Sequence, residues 1–138
     1  MESWLLLRSL RTLHLRVPRQ SSNATKLVAH LACGKSVIHK VVHASLQKEE
    51  YVKRQLSGGY PPCFAMYFTT EQQAKIFCSK TKIFRHATSL GGAESLCDWR
   101  AMSDPAVDRT LVRISVGVEG IEDLIRDMDQ ALELAARG

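Results

Sequence analysis

Two residues in this chain have types and settings that could do chemistry together. Ser89 stands in TSLGGAESLCDW (88–99), ahead of adjacent glycines, and Arg113 stands in LVRISVG (111–117), inside a run of strand-forming residues. In an extended strand side chains alternate, so Leu111, Arg113 and Ser115 face one way and Val112, Ile114 and Val116 the other. A guanidinium among strand residues is costly unless its fork meets a carboxylate or phosphate. Two readings follow. Either Arg113 is paired within the fold, with Asp108, Glu94 or Asp98 as partner, or it waits for an anionic ligand. Ser89 reads as a turn or cap residue, because GxSxG is absent and no His–Asp pair surrounds it beyond His86. A serine hydrolase is therefore not expected. The Gly91–Gly92 pair is too short for a nucleotide-phosphate fingerprint.

Other chemistries have less support. The cysteines, at 33, 63, 78 and 97, form no CxxC and read as reduced thiols of a cytoplasmic protein. His39 and His43 lie in a β-branched stretch, so no helical metal pair is expected, and no metal site is assigned. The net charge is +5 and uneven: residues 1–60 hold ten Lys/Arg against three Asp/Glu, the remainder nine against eleven. These cations are scattered among apolar residues without an aromatic platform, so nucleic acid is not an expected partner. No apolar run approaches the roughly 18 residues that span a bilayer, so no membrane partner is expected either.

The elements that must position Ser89 and Arg113 follow from periodicity. Leu6, Leu10, Leu13 and Val17 recur at helical spacing. Although Arg8, Arg11 and Arg16 give the N-terminus a transit-peptide flavour, 3–15 is read as an amphipathic helix of the fold, ending before Pro18. A second helix is predicted over 19–31, stopped by Gly34. Strands are predicted over 36–42, 63–70, 82–87, 94–99 and 110–117, with Phe64, Met66 and Phe68 on one face. A charged helix is predicted over 46–56, and another from Thr70, where Gln73 completes a capping-box pattern. The last helix carries a stripe of Ile121, Leu124, Ile125, Met128, Leu132 and Ala135. Glu119, Glu122 and Asp123 stand at its start, complementing the dipole. The order α-α-β-α-β-α-β-β-β-α implies an α+β fold, with helices covering an antiparallel or mixed sheet.

Four collinear stretches resemble the C-terminal portion of the pyridoxal-phosphate enzymes of cysteine and methionine metabolism. They are SWLLLRSLRTLHLR (3–16), KRQLSGGYPPCFAMYF (53–68), SLGGAESL (89–96) and LVRISVGVEGIEDLIRDMDQAL (111–132). That family includes cystathionine gamma-synthase, the cystathionine lyases and methionine gamma-lyase. LLLRSLRTL, with Ser9 in place of a glycine, is most similar to the gamma-synthase-like branch. The resemblance implies the small C-terminal domain of the fold-type-I enzymes, an α+β unit over 36–138 preceded by junction helices over 1–35 that link to a large cofactor domain. It implies that Arg113 clamps the α-carboxylate of a sulfur amino acid substrate, and that Ser89 lies beside it in the same pocket. Pyridoxal 5'-phosphate is the implied cofactor, and a homo-oligomer the implied assembly of a full-length enzyme. The Schiff-base lysine belongs to the large domain, and the Lys26 of NATK is not its counterpart. No catalytic or cofactor-binding residue is therefore assigned, and the chain alone is expected to be inactive. The alternative is a non-catalytic remnant that pairs with a full-length relative. Thr88 stands where many γ-specific members have a glutamate, which leaves β- and γ-chemistry open.

Overall fold

The computed structural model describes every residue except Lys35, which sits at the expected boundary between the two segments. In chain order the elements are α1 (Glu2–Leu10), α2 (Leu13–Ala32), β1 (Ile38–Val42), α3 (Glu50–Gln55), β2 (Cys63–Phe68), α4 (Glu71–Lys80), β3 (Arg85–His86), β4 (Leu96–Trp99), β5 (Leu111–Ser115) and α5 (Ile121–Arg137). The strands form one sheet in the order β1-β2-β5-β4-β3. Only β3 runs parallel to its neighbour β4; the other pairings are antiparallel.

The expected alternation decides the layering. Val112, Ile114 and Val116 of β5 and its extension are fully buried, as are Met66 and nearly so Phe64 and Phe68 of β2. This face packs against Leu27, Val28 and Leu31 of α2, Phe77 of α4, and Leu124, Met128 and Leu132 of α5. Phe68 and Phe77 meet with ring centroids 5.2 Å apart. Each such side chain withdrawn from water contributes about 1.5–3 kcal/mol before chain entropy is subtracted. The opposite face carries Cys63, Ala65, Tyr67 and Arg113, all only half-buried. Side chains there can reach a ligand.

Several boundaries depart from the periodicity, each for a visible reason. The first helix breaks at Thr12 rather than before Pro18. There the N–H and hydroxyl of Thr12 both donate to the Ser9 carbonyl, and Arg16 Nη2 donates to it at 3.0 Å. Pro18 then lies inside α2, where it gives up one intrahelical bond. The helix predicted from Leu46 starts only at Glu50. Residues 44–46 instead make a 3-10 turn capped by His43, whose ring nitrogen accepts from the Ser45 N–H. The strand predicted over 82–87 shrinks to two residues, because the N–H groups of Lys82, Ile83 and Phe84 all donate to the Asp127 carboxylate. β4 begins at Leu96 because the Ser95 N–H goes to Glu119. The capping box of Thr70 and Gln73 forms as expected.

Among the described residues no helix is long and apolar enough to cross a membrane. The four cysteines are free; Cys33 is exposed and Cys78 and Cys97 are buried. A hydrogen bond with Cys97, with burial, holds the Cys78 thiol far above its ordinary range.

Candidate functional site

β5 places Arg113 at the centre of the open sheet face, between Ala65 of β2 and Asp98 of β4. Ala65 is small and leaves room above the strand. Asp98 is almost wholly buried and supplies the counter-charge, with its Oδ2 3.2 Å from Arg113 Nη2. Of the three partners open at the sequence level, the fold selects Asp98. Asp108 instead turns the chain into β5: the Thr110 N–H and hydroxyl donate to it and hold its carboxyl below the usual range.

The loop 88–92 closes one side of the guanidinium. Arg113 Nη2 donates to the carbonyl of Thr88 and, at 3.2 Å, to that of Ser89. Ser89 and Arg113 therefore meet, but through the Ser89 backbone. The Ser89 side chain is exposed and lines an open cleft of about 730 Å³ with Lys82, Arg85 and His86. A second cleft, of about 420 Å³, opens beside Asp98 between Thr88 and Met102.

Nη2 is thus fully engaged, whereas Nε is buried and has no hydrogen-bond partner. A buried donor on a cation without an acceptor is costly, commonly by 1–3 kcal/mol or more, and is a rare feature of finished folds. Nη1, by contrast, is not buried and makes no hydrogen bond among the described residues, so its two N–H groups are the donors of this guanidinium left open on the sheet face.

The loop is held from behind by residues that periodicity did not single out. Gln20 Nε2 of α2 donates to the Gly92 carbonyl. Asn23 Nδ2, fully buried, donates to the carbonyls of Gly117 and Glu119 at 3.1 and 3.0 Å. The Glu119 carboxylate, read from sequence as a helix-dipole partner, instead accepts from the Ser95 N–H at 2.7 Å and its hydroxyl at 2.8 Å. Gly91 adopts φ +74°, a conformation that favours glycine, and its N–H donates to Ser115 Oγ at 3.0 Å. Among the described residues, no three His, Cys, Asp or Glu side chains converge as a metal site. Among the described residues, the Thr88 and Ser89 carbonyls and the Asp98 carboxylate are the groups that contact the Arg113 guanidinium.

Comparisons with known proteins identify the family. A family model described as "Cys/Met metabolism PLP-dependent enzyme" matches residues 1–133. Cystathionine beta-lyase of Lactococcus lactis is 36% identical over 146 residues, covering 96% of this chain and 38% of the relative. Cystathionine gamma-synthase of Mycobacterium bovis is 36% identical over 142 residues, covering 95% and 36%. The crystal structure of a methionine gamma lyase from Micromonospora echinospora superposes with a TM-score of 0.85 at 31% identity, covering 94% of this chain and 38% of that one. The chain thus spans well under half the length of these relatives. Lyase and synthase match at the same identity, so the similarity does not single out the gamma-synthase-like branch.

Proposed function

This chain belongs to the Cys/Met metabolism PLP-dependent enzyme family, and on that premise we propose that it supplies the substrate-carboxylate half of such an enzyme's active site. The substrate is a sulfur amino acid such as cystathionine, or O-acyl-homoserine with cysteine, handled in the cytoplasm by a homo-oligomer. Arg113 binds the α-carboxylate, with its accessible Nη1, which has no hydrogen-bond partner among the described residues, as the observation that carries the reading. The Thr88 and Ser89 carbonyls and Asp98 hold Nη2, so the guanidinium is oriented before the ligand arrives at Nη1. Ser89 acts through its backbone carbonyl, while its hydroxyl faces the neighbouring cleft lined by Lys82, Arg85 and His86.

Pyridoxal phosphate, when bound, supplies the electron sink for carbanion chemistry at Cα. The residues described here do not hold it, and the reading assigns its lysine to a portion of the enzyme outside this sequence. The contribution of this chain is binding and orientation: a clamped carboxylate leaves the amino acid one rotation about the bond to Cα, which pocket neighbours then fix.

A second reading, a non-catalytic partner of a full-length relative, draws on α1. Trp4 and Leu6 of α1 are 59% and 63% exposed and Leu15 at the start of α2 is 62% exposed, apolar surface that a cofactor-bearing portion would cover.

The carboxylate assignment is tested by calorimetric titration of the chain with L-methionine and with L-methioninamide, whose carboxylate is blocked. Wild type is expected to bind the acid and not the amide. Arg113→Lys, which loses the planar guanidinium and the donors at Nη1, is expected to weaken the acid by about tenfold or more. Equal binding of acid and amide would remove Arg113 from the role.

A further inference from the structure

The Asp98–Arg113 pair poses a difficulty for an anion receptor. A buried carboxylate beside a guanidinium cancels its charge and competes with any incoming carboxylate. The fold contains a third member that resolves this. β4 runs directly into a 3-10 turn, Arg100–Met102, and the turn brings Arg100 Nη1 back to 2.9 Å from Asp98 Oδ2, the same oxygen that faces Arg113. One carboxylate oxygen thus lies between two guanidinium groups, and nearer to that of Arg100. The trio carries two positive charges and one negative.

We infer that Arg100 is a positioning residue that keeps Arg113 receptive by drawing the Asp98 carboxylate towards itself. This rests on the carboxylate-binding role of Arg113. Arg100 touches neither Arg113 nor the Thr88 and Ser89 carbonyls through any hydrogen bond among the described residues, so its influence passes through Asp98. With Arg100 present, Asp98 orients Arg113 without neutralising it, and the trio retains one net positive charge for a ligand. Without Arg100, Asp98 pairs with Arg113 alone and the receptor becomes a neutral ion pair. Geometry allows the substitution to be made cleanly, since the Arg100 side chain is 28% exposed and Asp98 only 2%.

The Nε–H of Arg113 gives a direct readout. In the ¹⁵N-labelled chain its resonance is assigned by its loss in Arg113→Lys, then followed during titration with L-methionine. Arg100→Gln is expected to weaken binding by roughly five- to tenfold at low salt, with an unchanged melting temperature. Arg100→Lys, which retains a cation for Asp98, is expected to stay within about twofold of wild type. Asp98→Asn combined with Arg100→Gln is expected to recover most of the lost affinity, because no carboxylate remains to cancel Arg113. Wild-type binding with an equal affinity in Arg100→Gln overturns the inference alone. So does a folded double variant as weak as Arg100→Gln. No shift of the Arg113 resonance in the wild-type chain overturns both the inference and the carboxylate reading beneath it.

Discussion

Replacing Asp127 by alanine is expected to destabilise the chain by about 4 kcal/mol, through the backbone of another element. The Asp127 side chain is nearly buried on the core face of α5. Its two oxygens accept from the N–H of Lys82 at 2.8 Å, of Ile83 at 2.7 Å and of Phe84 at 3.1 Å. Alanine removes these three backbone bonds together with the one from Gln130 Nε2, and leaves donors with no strand to join, since β3 starts only at Arg85. Asparagine keeps one accepting oxygen but turns an NH2 group towards backbone donors, so about half the loss is expected. Urea unfolding measures both. A loss under about 1 kcal/mol for alanine would mean that water replaces the carboxylate readily. Because residues 82–84 lead through β3 to the loop over Arg113, this substitution is also expected to weaken amino acid binding at temperatures where the chain remains folded.

Gly117→Ala is the second large effect, at about 3 kcal/mol. A Cβ on Gly117 would overlap the Ala93 carbonyl oxygen and the carbonyl carbon of Glu94, both backbone atoms, as well as the Glu119 carboxylate. Side chains can move away, but these backbone atoms cannot without shifting the whole loop. That loop is tied down by the Val118 N–H donating to Ala93 O at 2.9 Å and the Gly117 N–H to Ser95 Oγ at 2.8 Å. The substitution therefore displaces residues 93–95 and, upstream of them, the carbonyls that hold Arg113. Urea unfolding, with the Arg113 Nε–H resonance as a local reporter, checks it. An unchanged midpoint and an unmoved resonance would show that the close packing of 93–94 on β5 is not required.

These two residues also show where sequence reasoning succeeds and stops. β2, β5 and α5 are legible because their signals are local: alternation over a few residues, a capping box three apart, a stripe at helical spacing. The demand of Arg113 for an anion is legible for the same reason, as a cation among strand residues. Asp127 was readable in principle. It stands three residues after Leu124 and four before Ala131, on the apolar stripe, and an acid there requires partners. Its partners lie more than forty residues away in the chain, and no local pattern names them. Asn23 bonds across more than ninety residues and the Glu119 carboxylate reaches Ser95, 24 residues away, so the struts behind the loop leave no periodic trace. The contact of Ser89 with Arg113 through a carbonyl is similarly invisible, because any residue type has that oxygen. Arg100 follows the strand predicted over 94–99 with no local signal of its own, and only the 3-10 turn reveals its approach to Asp98.

The most direct test of the account is turnover by a hybrid enzyme. This chain replaces the portion of Lactococcus lactis cystathionine beta-lyase that it matches, and the hybrid is assayed with L-cystathionine and pyridoxal phosphate. The account predicts measurable turnover, and in Arg113→Ala a fall in kcat/KM of at least about a hundredfold, in a protein that still shows the cofactor's absorbance and an unchanged melting temperature. Arg113→Ala turnover equal to that of the parent hybrid would contradict it, because the substrate carboxylate would then be held elsewhere.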